Sequence, residues 1–187
     1  MLYLGIDTSN KYLIVTLFND DEVLYFKQIE AKRQVSEICN VEIKKGFDHI
    51  NKTVSHLSGI VVTRGPGSFT GVRIALSIAK VMAMTLDIPL YSVSSMQYYS
   101  GISSQSVLLD ARSKKAFLGH YDKGSIVSEE QVLTADLNTD LNYIGDLELL
   151  DKDYTYGDLS EHFRLLKPYW KSESVFDAKP DYLKNNL

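Results

Sequence analysis

Cysteine occurs once in these 187 residues, at Cys39, and tryptophan also once. A lone cysteine excludes a disulfide framework and a thiolate zinc site, and its plain reading is a small core hydrophobe. Excess positive charge is absent too: 24 acidic against 20 basic side chains leave a formal charge of −4. No broad cationic surface exists to hold a phosphate backbone unaided, so any RNA must be gripped by a partner. No apolar stretch reaches the roughly 20 residues of a membrane-spanning helix. The opening MLYLGID lacks the basic flank and apolar run of a secretory leader. Together these absences point to a reducing cytoplasm and no membrane contact.

Catalytic sets are also missing. His49, His56, His120 and His162 show no HExxH or HxxxH spacing, so no helix presents a paired-histidine metal site, and no metal ligands are assigned. No GxSxG marks a hydrolytic nucleophile. What is present is ordinary for a folded chain: 44% apolar and 24% charged residues, enough for a real core.

Apolar and β-branched runs at Leu2 to Ile6, Lys11 to Phe18 and Glu22 to Ile29 read as three strands joined by Asp/Asn/Ser turns, an antiparallel meander. From Gln34 to Ile50 the apolar spacing turns helical despite Gly46. A strand at Gly59 to Thr63, a helix at Val72 to Leu86 and a strand at Leu90 to Val93 follow; strands separated by helices enter a sheet in parallel. Beyond Gly101 the opening pattern returns, with strands at Ser106 to Asp110, Lys115 to Tyr121 and Ser125 to Gln131. Asp7 and Asp110 fall at the same place in each copy, so residues 1–100 and 101–187 are expected to form two lobes. The second is thinner, offering one modest helix at Leu159 to Leu166 and an irregular tail.

Two features could carry chemistry. A strand ending in Asp7-Thr8-Ser9 suits a magnesium-bound phosphate, but it also suits an Asx turn that merely closes a hairpin. The stretch RGPGSFTGVR, Arg64 to Arg73, sets three glycines between a strand and a helix. There Gly65, Gly67 and Ser68 could present N–H groups to an anion, or form a tight corner with Ser68 or Thr70 as cap. It is no P-loop, because Val72 stands where GxxxxGK[ST] needs Lys.

The helix behind this stretch is apolar almost all round: between Val72 and Leu86 only Arg73, Ser77, Lys80 and Thr85 are polar. A helix covering a sheet should show a polar outer stripe, so something else must cover this one. Ala75, Ala79 and Ala83 form a smooth strip, and Ile74, Ile78 and Val81 a ridge beside it. One of these faces is expected to meet a partner, unless the second lobe covers the ridge.

These blocks, in order, resemble the TsaB (YeaZ) family. Ile6-Asp7-Thr8-Ser9 ends the first strand, and RGPGSFTGVR matches a family signature almost letter for letter. Ile88-Pro89-Leu90, Val93-Ser94-Ser95, Asp110-Ala111-Arg112 and Pro180-Asp181-Tyr182-Leu183-Lys184 follow. The resemblance implies an α/β, actin-like ATPase (ribonuclease H-like) fold of two tandem βββαβα-type lobes, the second reduced. It further implies a non-catalytic subunit that stabilises TsaD and helps dock TsaE while threonylcarbamoyl is placed on N6 of the adenosine beside the tRNA anticodon. The histidine pair of TsaD has no counterpart at Lys32-Arg33-Gln34-Val35-Ser36-Glu37. Family subunits pair through the two helices of the first lobe, which assigns Val35, Ile38, Arg73, Ile74, Ser77, Ile78 and Val81 to a partner interface. The same face would make a homodimer when the chain is alone. On this reading tRNA is touched only indirectly, the isolated chain needs no cofactor, and ATP with magnesium belongs to the assembled complex. Asp7, Thr8, Ser9, Gly65, Gly67 and Ser68 would then be a vestigial nucleotide site. The alternative is an actin-like ATPase or phosphotransferase acting through Asp7 and Mg-ATP.

Overall fold

The computed structural model describes residues 1–30, 34–153 and 156–183. Its first sheet starts with the expected meander: β1 (Leu2–Asp7), β2 (Tyr12–Phe18) and β3 (Val23–Glu30) pair antiparallel, with Asp7 opposite Ile14. After α1 (Val35–His49), β4 (Leu57–Thr63) lies parallel to β1, and after α2 (Phe69–Leu86), β5 (Leu90–Val93) lies parallel to β4. Gly46 leaves α1 unbroken because its bare Cα faces Tyr25 and Leu17, where a Cβ would come within 2.9 Å of a tyrosine ring carbon.

Strand alternation divides the core in two. Leu4, Ile6, Val15, Leu17 and Val62 point toward α1 and α2, meeting Cys39, Ile43, Phe47, Ala75 and Ala79. There burial alone pushes the Cys39 thiol up to about 12, which leaves it an inert hydrophobe. Tyr3, Ile14, Val61 and Val93 point the other way, onto α3 (Ser95–Ser100) and α4 (His162–Leu165), where Tyr98, Tyr99 and Phe163 are fully buried.

The second sheet contains β6 (Gln105–Arg112), β7 (Lys115–Asp122), β8 (Ser125–Leu133) and β9 (Tyr143–Gly145), in the order β8-β7-β6-β9. β9 runs parallel to β6 as β4 does to β1, and β6 and β7 pair antiparallel as β1 and β2 do. The duplication is therefore topological. Where the first copy inserts α1, the second has a single 3-10 turn at Thr134–Asp136. The tail then returns to the first sheet, where β10 (Lys171–Glu173) pairs with β5 and completes the order β10-β5-β4-β1-β2-β3. This is the ribonuclease H-like, actin-like arrangement. The helix expected at residues 159–166 shrinks to the single turn of α4, and a 3-10 turn at Lys167–Tyr169 follows it.

α4 locks onto α3 through His162, whose Nδ1 lies 2.7 Å from the Tyr98 carbonyl. Its imidazole is packed so closely on Gly101 that a Cβ there would sit 2.9 Å from Nε2. Burial lowers the His162 pKa from its ordinary 6.5, outweighing the smaller opposing effects of the Tyr98 hydrogen bond and of Asp158. With the folded value depressed, the unfolded chain binds more protons just below 6.5. The stability held above that pH is therefore lost as pH falls toward the folded value. Melting temperatures compared between about pH 7.5 and about pH 5 should show a smaller acid-induced drop for His162→Gln than for the parent.

Candidate functional site

The corner from β4 into α2 is closed from three sides. The Ser68 hydroxyl caps α2 by accepting from the Gly71 amide at 3.2 Å. A Cβ on Gly65 would lie 2.3 Å from the Asp181 carbonyl oxygen, one on Gly67 2.2 Å from that of Ser9, and one on Gly71 1.9 Å from that of Thr8. Each glycine thus admits the backbone of another segment, and Gly65, at φ +111°, also holds a left-handed turn. The Ser68 amide donates to the Ser9 carbonyl at 2.6 Å. Thr8 Oγ1 donates to the Gly71 carbonyl at 2.6 Å and accepts from the Ala75 amide at 3.2 Å. The glycines serve chain-to-chain contact, and the Ser68 N–H that could have met a phosphate is spent inside the fold.

Asp7 is fully buried. Its Oδ1 accepts from the Ser9 amide at 2.9 Å and from the Thr63 hydroxyl, and its Oδ2 accepts from the Tyr99 hydroxyl at 2.6 Å. Burial first, then the Asp7 charge, raises the Tyr99 pKa, keeping that phenol a donor. The Asx-turn reading of Asp7-Thr8-Ser9 therefore describes the geometry. Of the six residues assigned to a vestigial nucleotide site, only Gly67 and Ser68 line the cleft between the sheets; Asp7, Thr8, Ser9 and Gly65 do not.

That cleft has a volume of about 800 Å³ and is lined by Asn10, Lys11, Asp110, Arg112, Asp146 and Glu148 among others. Asp110 repeats the Asp7 geometry, its Oδ1 accepting from the amide two residues on, Arg112, at 2.7 Å. Its Oδ2 lies 3.1 Å from the Arg112 guanidinium. Asp146, just past β9, accepts from the Asp110 amide at 2.8 Å and from the Tyr156 hydroxyl at 3.1 Å, while burial raises its pKa. Asp7 is closed off by Ser9, Thr63 and Tyr99, whereas the Asp110 carboxylate, 30% exposed, lines the cleft and is met by Arg112. Asp146, Asn10 and Tyr156 were not anticipated from sequence. The signal was the short run Tyr143-Ile144-Gly145-Asp146, a strand ending in Asp like Leu4-Gly5-Ile6-Asp7, but three residues are too few to show a period.

The over-apolar helix is the more open feature. Ala75, Ala79 and Ala83 are buried on the sheet with Val72 and Leu76, so the small-residue strip is the inner face. Outside, Arg73 and Ser77 are exposed, Ile74 and Ile78 half-buried, and Val81 and Met84 59% and 56% exposed. Ser36, Phe69, Thr70, Arg73, Ile74, Ser77 and Ile78 line an apolar groove of about 380 Å³. Four of the seven residues assigned to the interface meet in it, and Val81 stands one turn further along α2. Val35 and Ile38 are half-buried on α1 and pack against the core beneath. The second sheet supplies no residue to this groove. Although α2 is long and apolar enough in composition to cross a membrane, its inner strip lies on the sheet. Lys32, Arg33 and Lys184 lie outside the described residues.

The family model described as TsaD, tRNA N6-adenosine threonylcarbamoyltransferase, matches residues 27–170. The tRNA threonylcarbamoyladenosine biosynthesis protein TsaB of Bacillus subtilis (strain 168) is 32% identical over 153 residues, covering 73% of this chain and 64% of that protein. The protein of the same name from Escherichia coli (strain K12) is 25% identical over 130 residues, 66% of this chain and 56% of its own length. The chain thus spans less than two thirds of these relatives. Against the solved structure of YeaZ from Pseudomonas aeruginosa the TM-score is 0.78 at 20% identity, covering 97% of this chain and 99% of that one. Such identity establishes the fold alone. With relatives named TsaB and the related TsaD family model matching residues 27–170, the chain belongs to the TsaB (YeaZ) family.

Proposed function

We propose that the protein acts in tRNA threonylcarbamoyladenosine biosynthesis as a non-catalytic scaffold subunit that binds and stabilises the TsaD transferase and helps dock TsaE. Supporting a pathway role are the relatives named TsaB. The observation that carries the scaffold reading is the ridge of Ile74, Ile78, Val81 and Met84, left open above a helix whose inner face is already used. The match of this chain to the TsaD family model favours TsaD as the occupant, since a related subunit of the same fold would offer counterpart helices. Like faces can meet across a pseudo-two-fold axis, and two copies of this chain would use the same face when TsaD is absent. Each Å² of apolar surface removed from water contributes about 25 cal/mol. The net charge of −4 leaves tRNA to the partner. The ATPase reading is less favoured, because the oxygens of Asp7 are taken up by Ser9, Thr63 and Tyr99.

Co-purification with TsaD of the same organism tests this. Ile74→Asp combined with Ile78→Asp should weaken the pair by about 100-fold or more, since two carboxylates would be buried in an apolar contact. Because Ile78 also packs against the buried core, Ile74→Asp alone is the control: it should weaken the pair in the same direction with an unchanged circular dichroism spectrum. Association that survives both charges contradicts the assigned face.

A further inference from the structure

The tail beyond β10 is joined to the corner and to α2 by specific contacts. Arg64, first residue of the signature stretch, reaches Asp181 at 3.3 Å and Glu173 at 3.8 Å, while the Asp181 amide donates to the Arg64 carbonyl at 2.7 Å. Glu173 in turn accepts from the Ser92 hydroxyl at 2.6 Å. The two cations of α2 are also used here. Lys80 Nζ donates to the carbonyls of Ala178 at 3.0 Å and Phe176 at 3.4 Å, and Arg73 Nε donates to the Tyr182 hydroxyl at 3.1 Å. The Tyr182 ring stacks on Phe69 at 5.5 Å, and the Arg73 guanidinium lies 3.8 Å from the Phe69 ring centre. Ala178 is buried in the same core cluster as the inner strip of α2, so the tail is packed as well as tethered.

These contacts place the tail along one side of α2. Phe69, Arg73 and Lys80, spaced four and seven residues apart, form the stripe that faces it, and Ile74, Ser77, Ile78 and Val81 form the adjacent stripe. Ser36 of α1 closes the other side of the groove. Phe69 and Arg73, which Tyr182 contacts, are themselves groove-lining residues, so the tail borders the groove through them while α1 contributes Ser36. Phe69, Phe176 and Tyr182 remain 56%, 79% and 45% exposed, an unusual concentration of aromatic surface beside an apolar groove.

We propose that the C-terminal strap, residues 174–183, is the second wall of the TsaD-docking face, with Tyr182 positioning Phe69 and Arg73 at the groove mouth and Phe176 offering a direct contact. Arg64 is the anchor holding the strap in register. The proposal rests on the docking face described above and adds a segment outside the paired helices. Phe69, Phe176 and Tyr182 supply the aromatic surface on which binding energy concentrates, and holding it rigid beforehand reduces the ordering cost of association.

The test uses the full chain and TsaD, with affinity measured by titration for Tyr182→Ala, Phe176→Ser and their combination, beside the Ile74→Asp/Ile78→Asp pair. Both strap residues are exposed, so the variants should keep the parent melting temperature within about 2 °C. The combined strap variant is expected to lose about 10- to 100-fold in affinity. Tyr182→Phe, which keeps the stack and loses only the hydroxyl, should recover most of that loss in the Tyr182 single background. Parent affinity in the strap variants while the ridge pair abolishes binding would overturn the strap proposal and leave the docking face standing. Parent affinity in both sets would overturn the docking face itself. An affinity loss accompanied by a lowered melting temperature would be checked with Arg64→Gln, which removes the charge that meets Asp181 and Glu173. Loss of affinity in that variant at parent melting temperature supports the anchor, and parent affinity contradicts it.

Discussion

Asp7→Ala is expected to destabilise the protein by about 3–5 kcal/mol, read as a lower urea midpoint with an unchanged slope. The carboxylate collects the Ser9 amide, the Thr63 hydroxyl and the Tyr99 hydroxyl in a site with no exposure. Removing it strands three donors out of reach of water, and leaving a buried donor unsatisfied costs about 1–3 kcal/mol each before relaxation. Asp7→Asn keeps one carbonyl oxygen and the shape, so it should cost about 1–2 kcal/mol. An Asp7 that served a metal-bound phosphate would behave differently. Its removal would relieve rather than create unmet bonding, and stability would hold or rise while ligand affinity fell. A stable Asp7→Ala protein with lost Mg-ATP binding would refute the structural role assigned to Asp7 and favour the ATPase alternative.

Gly71→Ala should have an effect of similar size, about 3 kcal/mol or more, by a different route. The new methyl would lie 1.9 Å from the Thr8 carbonyl oxygen, and neither can rotate away, the oxygen being backbone and the methyl fixed directly to Cα. Relief requires α2 and the β1–β2 turn to separate, which breaks the bonds from Thr8 Oγ1 to the Gly71 carbonyl and from the Ala75 amide to Thr8 Oγ1. Gly157→Ala is the control, since nothing lies within 4 Å of the added carbon. It should change stability by no more than about 0.5 kcal/mol. Equal melting temperatures for the Gly71 and Gly157 variants would contradict the close approach.

Both predictions concern residues that pattern alone left with two meanings. The glycines of Arg64 to Arg73 were legible as a backbone requirement, because no other residue tolerates such proximity, but a phosphate and a neighbouring strand make the same demand. What decided between them was long-range: Ser9 and Thr8 arrive from the β1–β2 turn and Asp181 from the tail, over separations no local pattern encodes. The seven longer strands and the two long helices were legible from the sequence pattern, with α2 starting just after its Ser68 cap rather than at Val72. β9 and β10 were not, since three residues each carry no alternation and their pairing is set by β6 and β5. The excess apolarity of α2 was visible in composition. Its two cations could not be assigned, because their hydrogen-bond partners are two carbonyls and a hydroxyl in the tail, about a hundred residues away.

Site-specific photo-crosslinking tests the central claim most directly. A photoreactive side chain at Val81, 59% exposed on the α2 ridge, is compared with one at Ile126, 49% exposed on the edge strand of the second sheet. Val81 is expected to crosslink to TsaD and Ile126 is not. A crosslink from Ile126 with Val81 silent would contradict it.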